Sequence, residues 1–217
     1  MPLTERAASR LQAVAIAIAI AALIAILPQR YHIMPNWFVY LGTASMIVPM
    51  LIGAVVKDAP RWRRLERSSE LFAVWVALLF NLANLCIAAY NLVENPGKLQ
   101  PVPLFYTSVG IWCGNVLIFT LLYWLIDGGG TDARLSGNVK YPDFDFPAMD
   151  DNVHVPPGWQ PGIVDYLFLG FTTSTAFSPT EAMPLTPRAK LLMILQSSIA
   201  LVTIAIVAAR TINILGT

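Results

Sequence analysis

Apolar residues gather into five long runs along the chain: Leu11 to Leu27, Trp37 to Val56, Leu71 to Val93, Leu104 to Ile126 and Ala189 to Leu215. A membrane-crossing helix needs roughly 17 to 25 mainly apolar residues, and each run meets that length. The pattern therefore predicts an all-α membrane protein with about five transmembrane helices. Helix punctuation bounds the runs: Pro28 after the first, Asn36 before the second, Ser68 and Ser69 before the third, and the Gly128, Gly129, Gly130 triplet after the fourth. A further stretch, 163–184, begins apolar and then crowds with hydroxyls, from Asp165 through Thr172, Thr173, Ser174 and Thr175 to Glu181. It is too short and too polar for a comfortable span. Non-helical backbone at membrane depth is tolerated only where protein or water surrounds it, so the stretch reads as a re-entrant half-helix and turn before the last helix. Asp165 is expected to cap that half-helix, and Pro179 cannot continue it. Thr186 is then expected to cap the final helix, with Pro187 at its first position.

Composition supports lipid as the main solvent. Of the 217 residues 56% are hydrophobic and only 12% charged, with a net charge of +1. The connections are too short for a second folded unit except between Ile126 and Gly162, so 1–217 reads as one membrane domain with an acidic loop at 127–161. No basic run marks a nucleic-acid binder. The first run, behind Arg6 and Arg10, is long for the core of a signal peptide and lacks a cleavage site after it, and an uncleaved anchor is expected. Cys86 and Cys113 fall inside apolar runs and read as small hydrophobes. Tyr31, Trp37, Tyr40, Trp62, Tyr90, Tyr123 and Trp124 stand near run ends, where amphipathic rings favour the headgroup level.

Candidate chemistry is sparse. Asn81, Asn84 and Asn115 are costly toward lipid and should face the bundle interior, either as interhelical hydrogen bonds or along a polar path. In the acidic loop Asp143, Asp145, Asp150, Asp151 and His154 are weak metal-ligand candidates, lacking the spacing and central glycine of a calcium loop, and no metal is expected. With His32 and His154 as the only histidines and no nucleophile, base and orienter set, the chain reads as neither an enzyme nor a cofactor carrier. The dipoles of the half-helix leave partial negative charge near Thr175, which favours a cation there.

The order of half-helix, Thr-rich turn, acidic exit, Pro-Leu-Thr-Pro and closing helix resembles the pore module of tetrameric potassium channels. That family writes its core F-T-T-L-T-T-V-G-Y-G-D, and Phe171-Thr-Thr-Ser-Thr-Ala-Phe-Ser-Pro-Thr-Glu181 aligns without a gap, matching the Phe, three Thr positions and the final acid. Ser178 and Thr180 stand at the glycine positions and Pro179 at the tyrosine. Those glycines permit the backbone angles of a carbonyl-lined filter, so a potassium-type filter is not expected. The resemblance implies a pore lined by Thr172, Thr173, Thr175, Ala176, Phe177, Ser178, Thr180 and Glu181, a homo-oligomer, a tetramer by analogy, and monovalent cations as the permeant species. The complete layout also resembles an uncharacterised family of bacterial integral membrane proteins, through Asp127 to Gly130, Tyr141-Pro-Asp-Phe-Asp-Phe-Pro147 and Asp165 to Leu215. That likeness implies a bacterial inner-membrane home and no established activity.

Charge orients the chain. Lys57, Arg61, Arg63, Arg64 and Arg67 crowd the second connection, whereas the first and third hold one basic residue each, Arg30 and Lys98. The positive-inside rule puts the second connection and the N-terminus in the cytoplasm, and the loop from Asp127 opens from the same side. Potassium channels present their pore loop from outside, so either the charge rule fails here or an additional crossing is hidden, with Ile163 to Pro184 spanning fully. Two functions stay open: a cation-conducting oligomer with a ring of Glu181 at its mouth, or a nonconducting membrane scaffold or regulatory subunit that keeps the module for packing. A carrier is a weaker third.

Overall fold

A computed structural model describes residues 3–26, 44, 47–48, 60–94, 101–137, 139, 141–147, 159–175 and 182–215. They are almost entirely helical. In chain order they form α1 (Leu3–Ile26), α2 (Pro60–Glu94), α3 (Pro101–Ile126), a 3-10 turn (Asp127–Gly129), α4 (Thr131–Leu135), β1 (Phe144–Asp145), α5 (Ile163–Thr175), β2 (Met183–Pro184) and α6 (Pro187–Leu215). Among the described residues three helical stretches are long and apolar enough to cross a membrane, Arg64–Glu94, Leu104–Gly129 and Pro187–Ala209, and the apolar part of α1, Leu11–Leu23, is shorter. The predicted second span, 37–56, lies outside the described residues save for Ala44, Ile47 and Val48.

Helix α2, which holds the third apolar run, departs from its predicted start. It begins at Pro60, where a missing N–H is no loss because the first amides of a helix have no intrahelical partner. The charged residues that follow stay helical, and the Ser69 hydroxyl donates to the Glu66 carbonyl at 2.7 Å instead of capping a new helix. Hydropathy marks only the apolar part of a helix, and α2 extends past the start of its apolar run.

Helix α3 is the hub, with α1, α2, α5 and α6 all packed on it. Every residue from Ile118 to Leu125 is buried, the pattern of a helix surrounded on all sides. Tyr123 and Trp124, expected at the headgroup level, are within this core, while Tyr90 is exposed. Side-chain contacts fix the helix directions. On α2, Arg67 lies against Gly130 and Asn81 against Ile111 and Gly114, so α2 runs antiparallel to α3. Tyr166 meets Asp127 and Ser174 meets Asn115, so α5 is antiparallel to α3 as well. Arg188 reaches Ile126 and Gln196 reaches Tyr123, which gives α6 the same sense. Helices α2, α5 and α6 therefore all start at the end where α3 finishes.

That end is closed by a two-stranded antiparallel ribbon, with Phe144 opposite Pro184 and Asp145 opposite Met183. Leu185 adds a backbone bond to the Asp143 carbonyl at 2.8 Å. The ribbon returns the chain to the level where α5 began. With 13 residues α5 is about 20 Å long, well short of a hydrocarbon core of about 30 Å. The seven steps from Thr175 to Ala182 can reach at most about 25 Å, enough to cover the distance back.

Candidate functional site

Two polar assemblies hold α5, one at each end. At its beginning, Asp127 and Asp143 are both buried carboxylates, at 1% and 0% exposure. Asp127 Oδ1 accepts from the backbone N–H of Asp143 at 2.7 Å and of Phe144 at 3.2 Å, and its Oδ2 accepts from the Tyr166 hydroxyl. Asp143 Oδ1 accepts from the Thr186 hydroxyl and from Arg188 Nε, and its Oδ2 accepts from Arg188 Nη2 and the Gly128 amide. Buried carboxylates with this many donors are satisfied groups, and the charge-assisted bonds are the strong ones. Burial alone would push the Asp143 carboxyl up, but the bonds from Arg188 and Thr186, the Arg188 charge and the Gly128 amide together hold it below the usual carboxylate range.

The local chemistry explains why these groups meet. Gly128 adopts φ +59°, and a Cβ there would lie 2.9 Å from Val139, so glycine is what lets the chain turn off α3 and aim its amide at Asp143. Buried Arg134 covers the helix end, donating to the Asp127 carbonyl at 2.6 Å and the Trp124 carbonyl at 2.7 Å, a favourable place for a cation. Its guanidinium also lies 5.3 Å from the centre of the Tyr166 ring. Thr186 caps α6 as predicted, its hydroxyl oxygen accepting from the Ala189 amide at 3.3 Å. Asp165 does not occupy the cap position of α5. It lies within the first turn and reaches back to accept from the Gly162 amide at 2.7 Å, one half of a capping box.

The far end of α5 is held by side chains of α3 and α6. The last four carbonyls of a helix lack intrahelical partners, and in lipid they need donors. Here the Thr173 carbonyl accepts from the Ser197 hydroxyl at 3.2 Å, and the Ser174 carbonyl from Trp112 Nε1 at 3.3 Å. Gln196 is the centre of the assembly. Its Oε1 accepts from the Tyr123 hydroxyl at 2.6 Å, while Nε2 donates to the Gly170 carbonyl at 2.7 Å and to Ser174 Oγ at 2.8 Å. Asn115 Nδ2 adds bonds to Ser174 Oγ and the Gln196 carbonyl. Gly170 permits the close approach: a Cβ there would lie 2.9 Å from Thr120 Oγ1 and 3.1 Å from the Val116 carbonyl.

The predicted site residues divide. Asn81, Asn84 and Asn115 are buried in the bundle as expected. Thr173 is buried, and Thr172 and Thr175 are part-exposed; all three hydroxyls donate to carbonyls three or four residues back. Ala176, Phe177, Ser178, Thr180 and Glu181 lie outside the described residues, as do Asp150, Asp151 and His154. Asp145 is exposed on β1, and Asp143 is tied to Arg188; no group of three or more metal-binding side chains occurs among the described residues. Both cysteines are free thiols. Sequence reading missed Tyr166, Arg134, Arg188 and Gln196. Gln196 had a visible signal, a long amide inside an apolar helix, the same signal that singled out Asn115.

The segments Asp127 to Gly130, Tyr141 to Pro147 and Asp165 onward, far apart in the chain, thus meet at one end of α3. Comparison of the chain with protein-family models, with curated proteins and with solved structures gives no match.

Proposed function

We propose that α5 is a re-entrant half-helix and that the chain assembles into a homo-oligomer that conducts small monovalent cations along the α5 and α6 faces. The observation that carries this reading is that α5 and α6 begin at the same end of α3 while α5, at about 20 Å, ends beside Trp112 and Asn115, partway along α3. The hydroxyl geometry supports a cation over an anion. Thr172 and Thr175 donate their protons to backbone carbonyls, so the oxygen lone pairs are what remain for a permeant ion. The α5 dipole adds partial negative charge at that depth, and Glu181 follows as a cation-concentrating ring.

Arg67 beside Gly130 puts the basic second connection at the same end as the loop after α3. The positive-inside rule supports a cytoplasmic position for that end, within a bacterial inner membrane. A nonconducting scaffold is the second reading, favoured by the burial of Thr173 and Ser174 in bonds within one bundle.

Cysteines placed singly at the exposed positions Val164 and Pro187, in a background with Cys86 and Cys113 replaced, test the half-helix. Both should react with an impermeant maleimide from the same side of sealed vesicles. Labelling from opposite sides would mean that α5 crosses the membrane.

A further inference from the structure

The end of the bundle where α2, α5 and α6 begin is an amphipathic surface. The membrane-length stretch of α3 stops at Gly129 and that of α6 starts at Pro187, so the β1–β2 ribbon between them falls at the edge of the hydrocarbon. Around it Tyr141, Met183 and Leu185 are exposed at 73%, 68% and 48%. Apolar side chains this exposed on a short ribbon match the acyl boundary, and Tyr favours the headgroup level. Of the acids at this end, Asp127 and Asp143 are buried and Asp165 bonds the Gly162 amide, while Asp145 is exposed on β1. Arg134 is buried over the end of α3, whereas other cations here are turned outward. Arg67 and Lys190 are exposed, and among the described residues neither side chain has a hydrogen bond or an ion pair. Arg188 faces solvent over half its side chain while tied to Asp143.

We infer that this end binds the phosphate headgroups of anionic phospholipid, with Arg67 and Lys190 as the principal contacts and the exposed ribbon side chains inserted among the lipid chains. Long basic side chains at the hydrocarbon edge place their charge at phosphate depth while their stems cover apolar surface. The surface thereby fixes the depth of the ribbon, and with it the starting points of α5 and α6.

The test uses the full chain purified in a neutral detergent, with its melting midpoint followed as phosphatidylglycerol, phosphatidylcholine or inorganic phosphate is added. Phosphatidylglycerol should half-saturate the shift at a concentration lower by at least about tenfold than phosphatidylcholine, the scale expected of two basic residues near an anionic surface. An Arg67→Gln/Lys190→Gln variant should lose that preference while keeping its lipid-free midpoint. Should the variant not fold, the native chain decides the question by salt. Its preference should collapse between about 0.1 M and about 1 M salt, where the screening length falls from about 10 Å to about 3 Å. Equal shifts by the two lipids, a preference that survives in the folded variant or at high salt, or an equal shift by inorganic phosphate at the same concentration would overturn the inference.

Discussion

Gln196 Nε2 donates to the Gly170 carbonyl across 2.7 Å, joining the first half of α6 to the middle of α5. The same side chain accepts the Tyr123 hydroxyl of α3, so one amide ties three helices together inside the apolar bundle. A Gln196→Leu substitution keeps the volume but leaves the Tyr123 hydroxyl without its acceptor. Unsatisfied buried polar groups cost about 1–3 kcal/mol, so unfolding in detergent should show a loss of that size. A loss within error of zero would mean that α5 is held by packing alone.

Gly170 provides a test by sign. In the middle of a helix Gly→Ala ordinarily stabilises by about 0.5–1 kcal/mol. At this position the added carbon meets Thr120 Oγ1 and the Val116 carbonyl, and overpacking costs about 1–3 kcal/mol. Gly170→Ala should therefore destabilise the protein in the same unfolding assay, and a stabilised variant would contradict the close packing of α5 on α3.

The carboxyl of Asp143 is held below the usual range in the folded chain. A lowered folded-state value means that its contribution to stability is complete above the ordinary carboxylate pKa and is lost as pH falls through the lowered one. The stability difference between native protein and Asp143→Asn should therefore be flat from neutral pH down to about pH 4 and shrink only below it. A difference that already declines near pH 6 would show that Arg188 and Thr186 do not hold the charged form.

Glu181 tests the proposed mouth of the pathway. Glu181→Gln should lower cation flux in liposomes without changing expression, because a ring of carboxylates concentrates cations at an entrance. Flux equal to that of the native chain would count against the acidic ring.

The elements that were legible in the sequence are those set by local chemistry. Lipid requires long apolar runs, so α1, α3 and α6 stand out, and Thr186-Pro187 marks the start of α6 because an N-cap followed by Pro is a local signal. The first eleven residues of α2 were not legible: Pro60 to Glu70 form helix ahead of the apolar run, where hydropathy is silent. Tyr123 and Trp124 look like interfacial anchors from their place near a run end, and only the packing of four helices on α3 buries them. The pairing of Asp143 with Arg188 spans 45 residues and follows no period, so no spacing could announce it. Segments that read separately as a glycine turn, an acidic loop and a half-helix prove to be one polar knot at the end of α3.

Ion flux through purified protein in sealed liposomes is the most direct test of the central claim, comparing the native chain with Thr175→Trp at the part-exposed end of α5. The account predicts a cation leak in the native chain that the tryptophan abolishes. Folded protein that passes no cations at voltages of either sign, or a leak that the tryptophan leaves unchanged, would contradict it.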